Sequence, residues 1–208
     1  MQNTIQYRPF KRQDIQPFQT VINESWRYDQ QFTQATARHL SAIMLYYGLS
    51  RQSFAQVATS NGDPIGLIIG NTKQTKLSNV IYYPLIIWHF LGMLASKEGR
   101  GVLKFYVRDA MRLSRKLTQQ IDQPFDGELA LFAVSPRAQG LGVGTQLYQF
   151  FLTTFRKNQL STFFLQTDTT CNYSFYDHKG LTRAASVRQR VTVPEESTIG
   201  LFIYTGKI

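Results

Sequence analysis

Three glycines at alternate positions, Gly140, Gly142 and Gly144, have the spacing of a ligand-binding loop. They follow an apolar run and precede a helical pattern, so they are predicted to join a strand to a helix. Glycines at this spacing let bare backbone approach a ligand, and their N–H groups bind anions together with a helix N-terminus. The loop therefore favours an anion site suited to a pyrophosphate, with a turn that holds no ligand as the alternative.

Two other phosphate-binding loops fit this sequence less well. A P-loop ends in Gly-Lys followed by Ser or Thr, whereas Gly144 is followed directly by Thr145. A dinucleotide fingerprint has a glycine three residues after the position of Gly142, and here that residue is Thr145. The loop also lies late in the chain, with no second βαβ unit evident, so both alternatives are weakened.

The charge of the chain indicates which partners suit it. Its 208 residues are 43% hydrophobic, with 23 Lys and Arg against 13 Asp and Glu, a formal charge of +10. A chain of this length buries one core with an elaboration, or at most two small domains. The charge favours anionic partners such as phosphate-bearing cofactors, nucleic acid or anionic lipid. No nucleic-acid-reading motif is evident, so nucleic acid is not the expected partner.

The cysteine count and the apolar runs indicate whether a metal site, secretion or a membrane span is expected. Cys171 is the single cysteine, and no Cys/His cluster has zinc-site spacing, so neither a disulfide framework nor a metal is expected. Residues 1–14 lack an apolar signal-peptide core, which predicts a cytoplasmic protein. The uncharged run 79–95 is shorter than the about 20 residues of a spanning helix and contains Pro84 and Gly92. A buried or pocket-covering helix is therefore expected there rather than a membrane span.

The glycine loop requires a strand before it and a helix after it, and the sequence predicts both. Residues 128–134 form an apolar strand pattern that Ser135-Pro136 ends, and residues 145–157 show helical spacing with Leu147, Phe150, Phe151 and Phe155 facing inward. The predicted elements that follow are a strand at 161–167, a short helix at 172–179 closed by Gly180, and strands at 183–193 and 199–205 around the turn 194–197.

The N-terminal part predicts a strand, two helices and a hairpin. A strand at 4–7 precedes Asp14, which lies where an N-cap would start a helix through Phe18, Val21 and Ile22. A second helix is predicted at 36–46. Apolar runs at 53–59 and 64–70 flank Asn61-Gly62, a turn signal typical of a β-hairpin.

Residues 71–124 are predicted to be a helical insertion. They contain the uncharged run and then a basic helix, in which Lys104, Arg108, Arg112 and Lys116 recur every four residues. The opposing apolar stripe is Val102, Tyr106, Ala110, Leu113 and Leu117. This pattern is compatible with a surface for an acidic partner and, more commonly, with a solvated helix face.

Two motifs in residues 128–181 have the order and separation found in one enzyme family. The first is Gln139-Gly140-Leu141-Gly142-Val143-Gly144, preceded by Leu131-Phe132-Ala133-Val134-Ser135-Pro136. The second is Asn172, then Phe175-Tyr176, then Gly180-Leu181. This stretch closely resembles the GNAT superfamily of N-acetyltransferases, whose acetyl-CoA motif is Gln/Arg-x-x-Gly-x-Gly/Ala. Leu181 replaces the usual Phe.

The resemblance implies an α/β fold over residues 1–208. The expected architecture is a single GNAT-like domain with a mixed, mostly antiparallel central sheet, a splayed strand pair and helices on both faces. Residues 128–181 would be the acetyl-CoA-binding core and 71–124 the helical insertion. The insertion is not part of the family's common core.

The resemblance also implies which residues bind the acetyl-CoA cosubstrate. The backbone of Phe132, Ala133 and Val134 would pair with the pantetheine arm, although the three residues also suit an ordinary core strand. Asn172 would hydrogen-bond the pantetheine arm or order the adjacent helix. The residues expected to cradle the pyrophosphate are Gln139, Gly140, Leu141, Gly142, Val143, Gly144 and Thr145.

Two side chains match catalytic positions of the family. Tyr176 corresponds to the tyrosine that protonates the leaving CoA thiolate, with a tyrosine packed beneath CoA as the alternative. Glu128 lies where some members place the general base that deprotonates the amine, with a surface glutamate at a strand start as the alternative. Asp168 and Asp177 are poorer candidates. Cys171 is more readily explained as a buried small residue than as a nucleophile.

The expected function is direct acetyl transfer from acetyl-CoA to a primary amine of a small molecule or peptide. The alternative is a non-catalytic module of the same fold that binds acyl-CoA or an acidic partner. Aromatic residues of the insertion suit a partly apolar or cationic small amine, whereas the +10 charge disfavours a very basic protein tail. A homodimer is compatible with the sequence.

Overall fold

The computed structural model describes residues 4–72, 77–121, 123–191 and 196–208. Its strands are β1 (Ile5–Pro9), β2 (Phe54–Ser60), β3 (Asp63–Thr72), β4 (Gly127–Val134), β5 (Thr162–Asp168), β6 (Thr182–Val191) and β7 (Ser197–Lys207). Within the described residues these seven strands form one sheet in the order β1-β2-β3-β4-β5-β7-β6. Only the β4–β5 pair is parallel among these neighbours. The predicted mixed, mostly antiparallel sheet is confirmed.

The parallel pair separates almost as soon as it forms. β4 and β5 pair at Gly127 with Phe163 and at Glu128 with Phe164. Beyond Glu128, β4 continues along β3 as far as Val134, while β5 pairs with β7. The two strands therefore diverge and leave a gap along one edge of β4, which confirms the predicted splayed pair. We call this space the β4–β5 gap.

Helices cover both faces of the sheet, as predicted. On one face, α7 (Val143–Lys157) and α8 (Ser174–His178) pack on a cluster that includes Phe151, Phe155 and Phe163. The other face carries α1 (Ile15–Trp26), α2 (Tyr28–Gln31) and α3 (Gln34–Ser50), packed on Leu67, Ile69 and Leu131. We call these the α7 face and the α3 face.

Asp14 has a different role from the predicted helix cap. It does occupy the N-cap position of α1, but its side chain makes no cap hydrogen bond to that helix. Both carboxylate oxygens accept from Arg8 at 2.7 Å, and one also accepts from the Lys11 N–H at 2.7 Å. Asp14 therefore ties the end of β1 to the start of α1, a partner choice that a local capping pattern does not reveal.

The segment between β3 and β4 is helical but is not built as one basic helix. It contains a 3-10 turn (Leu77–Ile81), α4 (Tyr82–Met93), α5 (Lys97–Lys104), a π-helical turn (Phe105–Ala110) and α6 (Met111–Thr118). The predicted basic helical stretch departs from α-helical winding at the π-turn, where the wider i→i+5 winding breaks the regular spacing. The basic residues Lys104, Arg108, Arg112 and Lys116 are all exposed, as their solvated-face interpretation requires.

This segment spans the α3 face from one half of the sheet to the other. Val102 and Leu103 of α5 belong to the cluster beneath α3. Leu117 of α6 packs instead on Ala185 and Ile203, and Ile203 points away from the α7 face because its neighbours in β7 point toward it. Helices α5 and α6 therefore lie on the same face, on opposite sides of the β4–β5 gap.

Most predicted boundaries differ from the observed ones by one to four residues, as helix and strand ends commonly do. The turn predicted at 194–197 and the end of the strand predicted at 183–193 fall largely on residues 192–195, outside the described residues. None of the helices in the described part of the chain is long and apolar enough to cross a membrane.

A pair of histidines joins α3 to α4. The Nδ1 atoms of His39 and His89 lie 2.9 Å apart, so one ring donates a hydrogen bond to the other. Burial lowers the pKa of both rings, and the charge of Arg38 adds to this effect. The contact therefore requires that the pair remain at least partly neutral, since two protonated rings would both be donors.

Lowering the pH from 7.5 to 5.5 is expected to destabilise the fold through these histidines. Their folded pKa values lie below the unfolded value of 6.5, so the unfolded chain takes up protons first and stability falls as the pH drops through that value. Urea unfolding of the wild type and of the His39→Asn/His89→Asn variant over this range measures the effect. Equal pH slopes for the two proteins would contradict it.

Candidate functional site

The glycine loop leads directly into the N-terminus of α7. Gly142 is the N-cap of this helix, and the Gln146 N–H donates to the Gly142 carbonyl at 3.1 Å. The N–H groups of Val143, Gly144 and Thr145 precede that first i→i−4 bond, so the helix itself gives them no acceptor. Three N–H donors at the positive end of a helix dipole form a site for an anion.

The three glycines serve two different structural purposes. Gly140 and Gly142 have φ values of +79° and +74°, which L side chains rarely adopt, so they permit the turn itself. Gly144 lies inside α7, where a Cβ would be 3.6 Å from the ring of Phe132 and 3.7 Å from that of Phe175. Its missing side chain therefore keeps open the passage between the helix N-terminus and the β4–β5 gap.

The gap has an apolar wall and a polar backbone edge. Phe132 and Phe175 form the wall on the α7 face, with ring centroids 5.4 Å apart. Ser135 donates its N–H to the Ile65 carbonyl at 2.9 Å, so by alternation the backbone groups of Phe132 and Val134 point away from β3 and into the gap. The Val134 carbonyl also accepts from the Ser25 hydroxyl at 3.2 Å. An extended chain with amide groups can pair with such an edge.

A β-bulge bends β4 inside this region. Ile69 pairs with Leu131 and Gly70 with Leu129, so Ala130 is the extra residue. The bulge explains why Ala130 and Leu131 both pack toward the α3 face while Leu129 and Phe132 pack toward the α7 face. Bulges of this kind re-aim the strand where it leaves its parallel partner.

Tyr176 lies at the inner side of α8 and is buried. Its ring is 5.6 Å from the rings of Phe175 and Tyr204. Burial raises the pKa of this phenol well above its usual value, and the nearby Cys171 and Tyr148 add to the shift. The hydroxyl therefore stays protonated at neutral pH and is available as a donor.

Cys171 is held as a neutral thiol beside this tyrosine. Burial raises the pKa of Cys171 to about 12, and the charge of Asp168 contributes in the same direction. A thiol with this pKa holds almost no thiolate at neutral pH, and the thiolate is the nucleophile. This environment favours the interpretation of Cys171 as a partly buried small residue and not as a nucleophile.

Glu128 lies at the closed end of the gap and faces α3. Its carboxylate accepts a short hydrogen bond from the Arg51 guanidinium, which in turn donates to the Tyr47 hydroxyl at 2.8 Å. Burial raises the pKa of Glu128, while the charge of Arg51 and a hydrogen bond from Asn71 offset part of that shift. The exposed surface position considered as an alternative is wrong, because Glu128 is only 7% exposed.

Asn71 contributes an unusual polar atom next to this carboxylate. It pairs with Glu128 across β3 and β4. Its Oδ1 is buried and has no hydrogen-bond partner, the one side-chain atom of this kind in the described part of the chain. A buried acceptor without a partner costs free energy, so such atoms often mark a place where a ligand or a water binds.

The other candidate residues are engaged in local structure. Asn172 accepts from the Ser174 hydroxyl at 2.8 Å, which orders the start of α8. Asp177 accepts from the Tyr204 hydroxyl at 2.7 Å, and Asp168 holds Thr170 in a turn. These partners agree with the expectation that the two aspartates are poorer base candidates than Glu128.

One cation near the loop was missed by the sequence analysis. Lys179 Nζ donates to the Thr145 hydroxyl at 3.2 Å, so its charge lies beside the N-terminus of α7. Arg137, which is closer to the loop in sequence, pairs instead with Glu24 at 3.2 Å. Lys179 follows α8 and is 34 residues away from Thr145, and no local pattern connects residues at that separation.

Comparison with known proteins places the chain in one family. The profile of the acetyltransferase (GNAT) family matches residues 18–180. No curated protein sequence matches the chain significantly.

Several solved structures share its fold at low sequence identity. The ribosomal-protein-S18-alanine N-acetyltransferase of Escherichia coli is 12% identical with a TM-score of 0.52, over 99% of this chain and 94% of that one. Ard1 from Thermoplasma volcanium is 16% identical with a TM-score of 0.55, over 98% and 97%. The PaiA N-acetyltransferase of Thermoplasma acidophilum, solved with coenzyme A, is 13% identical with a TM-score of 0.53, over 99% of both chains.

These structures support the fold, and the family profile carries the assignment because it covers most of the sequence. The splayed strands, the glycine loop and the helix that follows it lie within the matched residues. The chain belongs to the acetyltransferase (GNAT) family.

Proposed function

We propose that this protein transfers an acetyl group from acetyl-CoA directly to the primary amine of a small molecule or peptide. The observation that carries the proposal is the open edge of β4 next to the free N–H groups of α7. The β4 edge offers backbone partners for an extended chain with amide groups, and the N-terminus of α7 offers an anion site for phosphates. Coenzyme A contains both groups, because its pantetheine arm is joined to a pyrophosphate.

The donor would enter from the α7 face. The residues proposed to hold its pyrophosphate are Gln139, Gly140, Leu141, Gly142, Val143, Gly144 and Thr145, with Lys179 supplying a positive charge. The backbone of Phe132 and Val134 would hold the pantetheine arm, whereas the expected contribution of Ala133 is not proposed because its backbone groups face β3. Asn172 would order α8 beside the arm. The PaiA N-acetyltransferase, which has a similar fold, was solved with coenzyme A, and this supports CoA as the donor.

The amine would approach from the α3 face, where the carboxylate of Glu128 lies. An amine is protonated at neutral pH and must lose a proton before it can attack, and Glu128 is the proposed base, directly or through water. Asn71 Oδ1, buried and without a partner beside it, is the proposed acceptor for a second N–H of the amine. Two acceptors side by side would favour a primary amine over an alcohol.

The chemical step needs no covalent enzyme intermediate. The amine nitrogen attacks the thioester carbon, the C–S bond breaks, and the thiolate takes a proton from Tyr176, the proposed general acid. The proton that the nitrogen still carries leaves through water and restores the Tyr176 phenol. The raised pKa of Cys171 argues against an acetyl-cysteine route. Residues 71–124, the proposed insertion, would shape the amine pocket, because α5 and α6 lie on either side of the gap on the α3 face.

The proposal is tested by following free thiol release from acetyl-CoA in the presence of a panel of primary amines and N-terminal peptides. We expect amine-dependent thiol release and mass spectra of N-acetylated products. Mass spectrometry of the purified protein for bound CoA is the companion measurement. Bound CoA without turnover of any amine would favour the alternative of a non-catalytic acyl-CoA-binding module.

Tyr176→Phe is expected to lower kcat about 100-fold, at the lower end of the range for a lost general acid. The loss is limited because a CoA thiolate, with a thiol pKa near 8.5, leaves moderately well without a proton. The affinity for CoA should stay within about twofold, measured by calorimetry, since the ring and its packing remain. An unchanged kcat would show that Tyr176 only packs beneath the donor.

A further inference from the structure

Helix α4 carries an apolar surface that its position in the fold does not explain. One side of α4 packs on α3, where Ile86 and Met93 are buried. The opposite side is also apolar, and its Trp88 is 69% exposed. We call this exposed side the α4 strip, and its members are Ile81, Leu85, Ile87, Trp88, Leu91 and Leu94.

The strip differs from an ordinary protein surface in its composition. Residues 79–95 contain no Asp, Glu, Lys or Arg. A helix that is apolar on all sides is normally buried, and contiguous exposed apolar surface marks a binding region. The strip is therefore a candidate binding region.

Basic residues lie at the C-terminal end of the strip and along one flank of α4. Arg100 donates to the Leu94 carbonyl at 2.7 Å, and Lys97 is exposed one turn earlier. Along the flank, the charge of Arg12 acts on Tyr82 and that of Arg38 acts on His89. The nearby acidic residue, Glu98, is hydrogen-bonded by Thr33 at 2.6 Å. The strip is thus apolar, with a basic border at its C-terminal end and along one flank.

We propose that the α4 strip binds the surface of an anionic lipid bilayer, with Trp88 and Leu91 inserted among the headgroups and the basic border on lipid phosphates. Interfacial helices combine these features: an apolar face with Trp and Leu, and Lys or Arg beside it. A second copy of the chain fits less well. A two-fold contact through α4 would bring together the basic borders of two molecules of charge +10.

Tryptophan fluorescence offers a direct test, because Trp26 and Trp88 are the two tryptophans. In the Trp26→Phe protein, Trp88 is the sole reporter. With vesicles of phosphatidylcholine and phosphatidylglycerol in equal amounts we expect a blue shift, quenching by brominated lipid, and co-flotation. Pure phosphatidylcholine vesicles should bind at least about fivefold more weakly, as expected for the loss of even one basic contact with anionic lipid.

Variants separate the two components of the surface. Trp88→Ser/Leu91→Ser should lower the partition coefficient at least about tenfold, and Lys97→Gln/Arg100→Gln about tenfold or more at low salt. Tyr7→Ser, which alters an exposed aromatic residue on β1, is the matched control and should bind as the wild type. Circular dichroism verifies the fold of each variant. If one double variant does not fold, the other still tests the proposal.

Two outcomes would overturn the proposal. One is the absence of flotation with the anionic vesicles. The other is a wild-type dimer in sedimentation equilibrium that Trp88→Ser/Leu91→Ser converts to a monomer, because a second copy would then be the occupant. Neither outcome affects the proposed acetyl transfer, which the thiol-release assay measures separately.

Discussion

Gly144→Val is expected to reduce CoA affinity about 100-fold or more without unfolding the protein. A Cβ at this position makes only ordinary contacts, 3.6–3.8 Å from Phe132, Phe175 and Val134, and valine is at least as good a helix former as glycine. The added methyl groups, however, would extend into the passage proposed for the donor. An overpacking penalty of about 3 kcal/mol corresponds to the expected loss. Calorimetric titration with CoA measures it, and thermal unfolding reports on the fold.

Gly62→Ala, in the turn between β2 and β3, is the matched control for this substitution. Here the added methyl meets no atom within 4 Å, but the φ of +91° strains an alanine. The strain of about 1–2 kcal/mol should lower Tm by about 4 °C. Gly144→Val should therefore lower CoA affinity, whereas Gly62→Ala should lower stability and leave the affinity unchanged. Unaltered CoA affinity in a folded Gly144→Val protein would contradict the proposed donor path.

The sequence predicts the elements around the gap well because local patterns determine them. The apolar run of β4, the break at Pro136, the glycines and the spacing of α7 are all contiguous in the chain. A strand and a helix joined by two left-handed glycines leave few alternative geometries. The splayed pair depends on which strands pair with each other, and no local pattern determines that. Its prediction therefore came from the family resemblance.

The sequence does not predict which partner a charged side chain selects. Arg137 lies next to the loop in sequence but pairs with Glu24 of α1, whereas Lys179 reaches Thr145 from the end of α8. The ion pair between Glu128 and Arg51 joins residues 77 positions apart. Such choices depend on how helices pack on the sheet, and periodicity carries no information about them.

The segment between β3 and β4 shows a different limit. Its basic and apolar residues recur with α-helical spacing, yet residues 105–110 are π-helical. The apolar residues must satisfy two separate clusters, one under α3 and one against β6 and β7. A local change of winding lets α5 and α6 each face their own cluster, and that requirement comes from tertiary packing.

Glu128→Gln is expected to lower kcat/KM about 1000-fold, because glutamine cannot take the proton that the amine must lose. The wild-type kcat/KM should fall on acidification, with an apparent pKa above the usual carboxyl value, since burial raises the pKa of Glu128. The variant should lack that acidic limb. Steady-state rates of thiol release between pH 5 and 9 (about the range accessible to the assay) measure both effects.

Arg51→Met distinguishes a base from a purely structural carboxylate. The charge of Arg51 lowers the pKa of Glu128, in opposition to burial, so its removal should move the acidic limb to higher pH. A structural ion pair would instead lose stability with no change in the position of the limb. An acidic limb that persists in Glu128→Gln, or that does not move in Arg51→Met, would assign the proton to another group. In that case Glu128 serves only to anchor α3 to the closed end of the β4–β5 gap.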